Sequence, residues 1–262
     1  MKQGIVFFVI CCFCLSSSAQ SSSLSDEALL QVKFEEKVGS SVPSDIKFHD
    51  ETGRPVVLQE YLHGQPVILI MGYYGCPMLC TLVLNGVMEN LRTLDQTARI
   101  PYQVVFISID PKETPALAAE KKNMYARGYG GHPDNWHFLT GDDGAIQSLA
   151  NAIGFRYAYD PAAKQYAHPG GFVILTPGGR ISRYFSGVTW SARDLGEALQ
   201  VAAAEKTTES PSTLNLLCFH YAPVTGKYGK LALNSVRAGG VLTILALGAL
   251  LVFRKSKPGR VP

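Results

Sequence analysis

Two cysteines four residues apart, Cys76 and Cys80, are the side chains of this sequence best suited to chemistry. They bound the segment Cys76-Pro77-Met78-Leu79-Cys80, which joins a continuous apolar run to a longer stretch with helical apolar spacing. On a helical turn, residues i and i+4 share one face, so the two sulfurs converge on one point. A helix N-terminus favours thiolate. Pro77 suits a first turn because its missing N–H has no partner to lose there. Two thiolates are a soft donor pair that matches Cu(I) well and Zn(II) acceptably. Without metal, the same pair is a dithiol–disulfide couple. A metal needs a third donor, and His168, in Ala167-His168-Pro169-Gly170-Gly171, is the best candidate.

The elements that must position these residues alternate. Pro66–Met71 and Tyr102–Ile109 are unbroken apolar runs, as strands buried on both faces should be. Cys80–Thr97 places Leu84, Val87, Met88, Leu91 and Leu94 on one helical face. Pro115–Tyr125 reads as a helix with Thr114 as N-cap, Trp136–Leu139 as a short strand, and Asp142–Ile153 as a helix ended by Gly154. Gly171–Thr176 and Arg180–Ser186 are strands joined by Pro177-Gly178-Gly179, and Ala192–Ala204 is a closing helix. Strand–helix–strand units followed by a hairpin and a helix predict an α/β, thioredoxin-like three-layer sandwich, largely parallel, spanning residues 42–204. In such a sheet the cysteine segment sits at the binding crevice, and the segment of His168, read as a loop entering the penultimate strand, faces the start of the cysteine helix. A lone histidine is ordinarily a satisfied structural residue; the neighbouring dithiol is what singles out His168.

Composition fixes the class and the ends fix the expected compartment. At 47% hydrophobic and 17% charged, the 262 residues are globular rather than disordered or fibrous. Residues 1–19 read as a signal peptide: Lys2, then apolar Ile5–Leu15, then Ser17-Ser18-Ala19 before the cleavage point. Ala238–Phe253 is uncharged and mostly apolar, about 24 Å as a helix, and Arg237 and Arg254 extend it by snorkelling. With the basic cluster that follows, this predicts a C-terminal transmembrane helix over 236–254 and a cytoplasmic tail over 255–262, with the domain on the periplasmic side. Removing the five positive charges of Lys2, Arg254, Lys255, Lys257 and Arg260 from the net +3 leaves −2, so no basic field points to nucleic acid. Of six cysteines, Cys76, Cys80 and Cys218 remain after cleavage, and a close thiol pair in an oxidising compartment is a redox pair or a metal site.

The remaining readings are plainer. Residues 20–41, rich in Ser and charge, are expected to form a flexible arm, with a short helix near Ala28–Phe34, and 205–235 a linker and juxtamembrane segment. Asp110 before Pro111 starts a turn or accepts a hydrogen bond near the site. Met78 is an accessory soft ligand or, as is commoner for such a methionine, faces a loop or a partner; His132 and His137 are structural, and Tyr73 and Tyr74 wall the site. Cys218-Phe219-His220 is a second soft metal pair, a link between two chains, or an unassigned membrane-proximal segment.

Four segments resemble the Sco/SenC family: Tyr73-Tyr74-Gly75-Cys76-Pro77-Met78-Leu79-Cys80, Ile107-Ser108-Ile109-Asp110-Pro111, Leu139-Thr140-Gly141, and His168 followed by Phe172-Val173-Ile174-Leu175. The resemblance covers about Val42–Ala204. It implies a membrane-anchored, thioredoxin-fold copper protein with Cys76, Cys80 and His168 as ligands, which helps build the binuclear copper centre of cytochrome c oxidase by delivering copper, reducing cysteines, or both. The implied partner is the copper-bearing oxidase subunit or another copper protein. The sequence differs from many members at Met78, Thr81, Ala167 and Pro169, and its anchor is C-terminal. The competing reading is a metal-free thiol–disulfide oxidoreductase with Cys76 and Cys80 as its redox pair; a peroxidase ranks third. Usual redox pairs have two intervening residues and need no distal histidine, so spacing favours metal.

Overall fold

A computed structural model describes residues 24–62, 64–77, 79–97, 100–129, 133–208, 217–218 and 234–243. The expected signal peptide, Met78, His132, His220, residues 244–254 of the expected span and the expected tail 255–262 lie outside the described residues.

In chain order the strands are β1 (Lys47–His49), β2 (Pro55–Val57), β3 (Val67–Gly72), β4 (Gln103–Ser108), β5 (Trp136–Leu139), β6 (Ala158–Asp160), β7 (Gln165–Pro169), β8 (Gly171–Leu175), β9 (Ile181–Ser186) and β10 (Leu217–Cys218). The helices are α1 (Asp26–Leu30), α2 (Leu79–Thr97), α3 (Pro115–Tyr129), α4 (Asp143–Ala152) and α5 (Ala192–Ala203). Five strands form the main sheet in the order β5-β4-β3-β8-β9. β3, β4 and β5 run parallel, and β8 and β9 close the sheet antiparallel. Every residue of β3 and of β8 is buried, so both faces of the sheet are covered and the expected α/β layering holds. α2 packs against α3, as the right-handed crossovers of consecutive parallel strands require, and against α5, which follows the closing hairpin.

The helix boundaries follow their caps. Asp142 accepts the N–H of Ala145 at 2.7 Å and Ser191 that of Asp194 at 3.0 Å. Thr114 caps α3 more weakly, accepting from Leu117 at 3.4 Å. Gly154 follows α4 at φ +63°, and a Cβ there would meet the Glu35 carbonyl oxygen at 1.9 Å, so only glycine fits. Between β3, β4 and β5, Tyr74, Phe106 and Phe138 pack ring against ring, and the Tyr74 hydroxyl donates to the Leu139 carbonyl at 2.7 Å. That bond ties the residue two before Cys76 to the far strand of the parallel set.

Three expectations need correction. The segment read as a flexible arm is packed from Val32 onward: Phe34 is buried edge-on against Phe155 and Tyr184, both at 5.5 Å, and the N–H of Glu35 donates to Gly154. His168 lies in β7, not in a loop, because a second sheet, β10-β7-β6, stands beside the first. The segment read as a linker is not free throughout. Thr208 donates to the Ser182 carbonyl, and Leu217–Cys218 pairs with Pro169 and His168. Among the described residues no helix is long and apolar enough to cross a membrane; residues 234–243 are helical, with Val236, Val241 and Leu242 exposed, and the rest of the expected span lies outside the described residues.

Candidate metal centre

The chain leaves the parallel end of β3 at Gly72, passes Tyr73–Pro77, and enters α2 at Leu79. Cys80 is therefore the second residue of the helix, while Cys76 lies in the preceding loop rather than on a shared helical turn. A turn closed by the Cys76 N–H donating to the Tyr73 carbonyl at 3.2 Å brings Cys76 back toward the helix start. His168 arrives from β7. Its Nε2 lies 3.1 Å from Cys80 Sγ, and one donor atom each from Cys76, Cys80 and His168 falls within 4.8 Å of the others. All three are buried, His168 most deeply at 2% exposure, and both cysteines are free thiols.

The histidine is held for one task. Its Nδ1 lies 3.0 Å from the Pro169 carbonyl oxygen, which can only accept, so Nδ1 carries the proton and Nε2 presents its lone pair to the cysteines. Tyr73 meets the ring edge-on at 5.9 Å and Phe155 tilts against it at 5.8 Å. The backbone carbonyl thus supplies the orienting partner that metal-ligating histidines need, independent of the side chains at 167 and 169.

Two residues that sequence reasoning did not single out shape the thiol side. A Cβ on Gly72 would lie 3.0 Å from Cys80 Sγ and 3.2 Å from Phe106, so glycine is what leaves room for the sulfur. Glu113, in the turn after β4, accepts the N–H groups of Tyr74 at 2.7 Å and Gly75 at 2.6 Å and the Ser108 hydroxyl at 2.6 Å. It fixes the loop that carries Cys76. Burial pushes its carboxyl up, against the lowering effect of those three donors. The only hint in the sequence is an acid close behind Asp110-Pro111. Asp110 fills both roles expected of it: it accepts the Lys112 N–H in its turn and the Tyr166 hydroxyl at 3.4 Å. Tyr73 and Tyr74 line the cleft beside the cysteines, together with Thr81, Tyr125 and Lys121. His137 is away from this group, bonded to Gln103 at 2.8 Å and packed on Tyr61, in keeping with a structural role.

The cleft beside the cysteines holds about 10 Å³, the space of one water-sized sphere. That is little room for an organic substrate in this conformation, and His168 does not line this cleft. Two sulfurs and one imidazole nitrogen are a soft set suited to Cu(I).

Comparison with known proteins agrees with this geometry. The SCO1/SenC family model matches residues 35–203, more than half of the chain. The chain belongs to the SCO1/SenC family. Mouse Protein SCO2 homolog, mitochondrial, is 26% identical over 164 residues, covering 60% of this chain and 60% of that protein. The chain therefore spans about 60% of the length of the curated relative it matches. An electron-transfer candidate from Aquifex aeolicus VF5 superposes with a TM-score of 0.56 at 26% identity, over 65% of this chain and 96% of its own. Arabidopsis thaliana ScoI, solved with copper bound, gives a TM-score of 0.52 over 64% of this chain and 99% of its own; at 18% identity, that likeness is one of fold.

Proposed function

We propose that this SCO1/SenC protein carries copper on Cys76, Cys80 and His168, and delivers it to, or reduces the cysteines of, the binuclear copper centre of cytochrome c oxidase during assembly. The observation that carries this reading is the 3.1 Å approach of His168 Nε2 to Cys80 Sγ, with Cys76 in the same group. A dithiol that works alone has no use for a buried histidine whose second nitrogen is already fixed by a carbonyl.

Copper is cargo here, so it must leave as well as bind. The three donors are not equivalent in this respect. His168 is locked between two aromatic rings and Cys80 sits inside a helix, whereas Cys76 lies on a loop flanked by exposed Gly75 and Pro77. Release therefore starts at Cys76, where an incoming thiolate of the acceptor takes its place before the deeper donors let go. Glu113 sets how far that loop moves.

The reading includes topology: a signal peptide at 1–19, a C-terminal membrane helix over 236–254, the domain on the periplasmic side and the tail in the cytoplasm. The support is the sequence pattern at both ends. The partner is the copper-bearing oxidase subunit or another copper protein, not nucleic acid. A thiol–disulfide oxidoreductase acting through Cys76 and Cys80 is the second reading, favoured by the two free thiols in one group. Copper stoichiometry of the purified protein decides, measured reduced and oxidised, with Cys76→Ser, Cys80→Ser and His168→Ala. One copper per chain in the reduced wild type, lost in each variant, supports carriage. Full retention in His168→Ala removes the histidine from the site, and no binding in any form leaves the oxidoreductase.

A further inference from the structure

We infer that Lys121 and Tyr125, one turn apart on α3, are the residues that admit the acceptor's thiolate to the copper, and that they select an anionic thiolate over a neutral thioether. The inference deepens the delivery reading above and rests on it. The carrying observation is which side of Cys80 is open. On the His168 side, the space among Cys80, His168, Phe106 and Pro169 has no room for a water-sized sphere. On the other side, the cleft shared by Cys76 and Cys80 holds about 10 Å³, enough for one such sphere. An incoming donor atom therefore has space to approach from the second side. Lys121 and Tyr125 line that cleft, and exposed Thr81 and half-buried Lys121 form its outer part.

A second observation, of charge, is independent of that space. Four residues apart, Lys121 and Tyr125 share a face of α3. Tyr125 is buried and its ring stacks on Phe138 at 6.2 Å. Burial pushes its phenol up, against the effect of Thr81 and with Cys80 and Cys76 adding to it, so the hydroxyl stays a donor. Lys122 is paired with Glu51, whereas the Lys121 ammonium has no hydrogen bond or ion pair among the described residues. No carboxylate lines the cleft; that of Glu113 is taken up by the N–H groups of Tyr74 and Gly75. Cu(I) on two thiolates and a neutral imidazole carries one negative charge. When the acceptor thiolate arrives, its Cu–S bond forms and that of Cys76 breaks. Cys76 departs as thiolate, no electron changes hands, and while both sulfurs are present the charge at the metal is two negative. An unpaired ammonium in the cleft offsets that charge, and the phenol O–H donates to the incoming sulfur. A thioether brings no charge and is a weak acceptor, so it gains from neither.

The inference and the reading beneath it fail differently. The protein tested is the full chain in detergent, loaded anaerobically with Cu(I). Two synthetic acceptor peptides are compared, alike except that one carries a pair of cysteines and the other a pair of methionines. Lys121→Met should slow transfer to the cysteine peptide at least about tenfold, the low end of what an opposite charge within about 4–6 Å does for a charged group. Transfer to the methionine peptide should be unchanged, and Lys121→Arg should restore the rate to the cysteine peptide. Tyr125→Phe should slow the cysteine peptide alone. A copper-free measurement reads the cleft directly. Cys76 is alkylated by anionic iodoacetate and by neutral iodoacetamide, followed by peptide mapping, and the ratio of the two rates cancels the thiolate content. That ratio should fall at least about threefold in Lys121→Met, because the cation no longer gathers the anionic reagent. Equal slowing toward both peptides, an unchanged rate to the cysteine peptide, or an unchanged alkylation ratio overturns the inference and leaves copper carriage standing. A wild type that binds no copper overturns the carriage reading and this inference with it.

Discussion

The Glu113 carboxylate accepts the backbone N–H of Gly75 at 2.6 Å, one residue before Cys76. Its other oxygen takes the Tyr74 N–H and the Ser108 hydroxyl. A strand-end turn thus holds the metal loop by its backbone, without touching a sulfur. Glu113→Gln places an amide NH₂ where only acceptors fit, so at least one loop N–H loses its partner. We expect a loss of about 1–3 kcal/mol in stability and faster alkylation of Cys76, with Cys80 changed less. Denaturant titration and residue-resolved alkylation measure the two effects. Equal acceleration at both cysteines would show that Glu113 supports the domain generally rather than the loop.

Gly72 is expected to be the position where the smallest substitution does the most selective damage. In Gly72→Ala the new methyl lies 3.0 Å from Cys80 Sγ and 3.2 Å from Phe106. Phe106 is locked among other rings, so the sulfur is the atom that yields. Overpacking of this kind costs about 1–3 kcal/mol, and the displaced thiol should weaken copper binding in a protein that still folds. Circular dichroism with a copper competition titration tests this; wild-type affinity would mean that the thiol is not held where Gly72 allows it.

How much of this was legible in the sequence depended on burial. β3 and β4 are covered on both faces, so their residues form apolar runs that only a buried strand explains. The hairpin of β8 and β9 was equally plain because Pro177-Gly178-Gly179 marks its turn. β6 and β7 were not legible. Their sheet is only partly covered, so Tyr159, Gln165 and Tyr166 break the apolar pattern, and no run of apolar residues marks the strand that carries His168. Cys76, Cys80 and His168 come together all the same, because that expectation rests on donor chemistry rather than on the element that carries the histidine. Phe34 was hidden for the opposite reason: one aromatic anchor among Ser, Lys and Glu gives no periodicity. Glu113 and Gly72 act through backbone N–H groups and empty space, which residue types do not announce.

Acid should weaken the fold in two separate steps. Burial, reinforced by the charge of Lys122, holds the His137 imidazole down at about 4, whereas unfolded histidine titrates near 6.5. Between these values the unfolded chain binds a proton that the folded chain refuses, so stability falls as pH drops from about 6.5 to about 4. Asp50 follows. Burial pushes its carboxyl up, but the Thr52 hydroxyl and amide and the Arg54 amide and guanidinium outweigh that and hold it at about 2. Its stabilisation is complete above the unfolded value near 3.9 and is lost as pH falls toward 2. Urea midpoints across the acid range should show both steps, and His137→Gln should flatten only the first. An unchanged slope between pH 6.5 and 4 in that variant would assign the first step to another group.

The last prediction concerns which reaction matters in the cell. Loss of this protein should lower assembly of an oxidase copper centre, and added copper should restore it at least in part. The argument begins with the site, where a buried histidine, oriented by the Pro169 carbonyl, completes a soft donor group that a dithiol reductase does not need. It continues with release, since Cys76 is the one donor on a loop and the place where an acceptor thiolate enters. Topology closes it: on the proposed reading, the domain faces the side of the membrane where such copper centres are assembled. Whole-cell oxidase activity and its copper absorbance would be followed in a deletion strain, with copper, with a membrane-permeant thiol reductant, and with the His168→Ala and Cys76→Ser forms restored. Rescue by copper, together with failure of His168→Ala, supports delivery. Rescue by the reductant alone, with His168→Ala still functional, transfers the role to thiol reduction through Cys76 and Cys80. If neither addition changes the oxidase or any other copper protein, both readings fall and a general extracytoplasmic redox role takes their place.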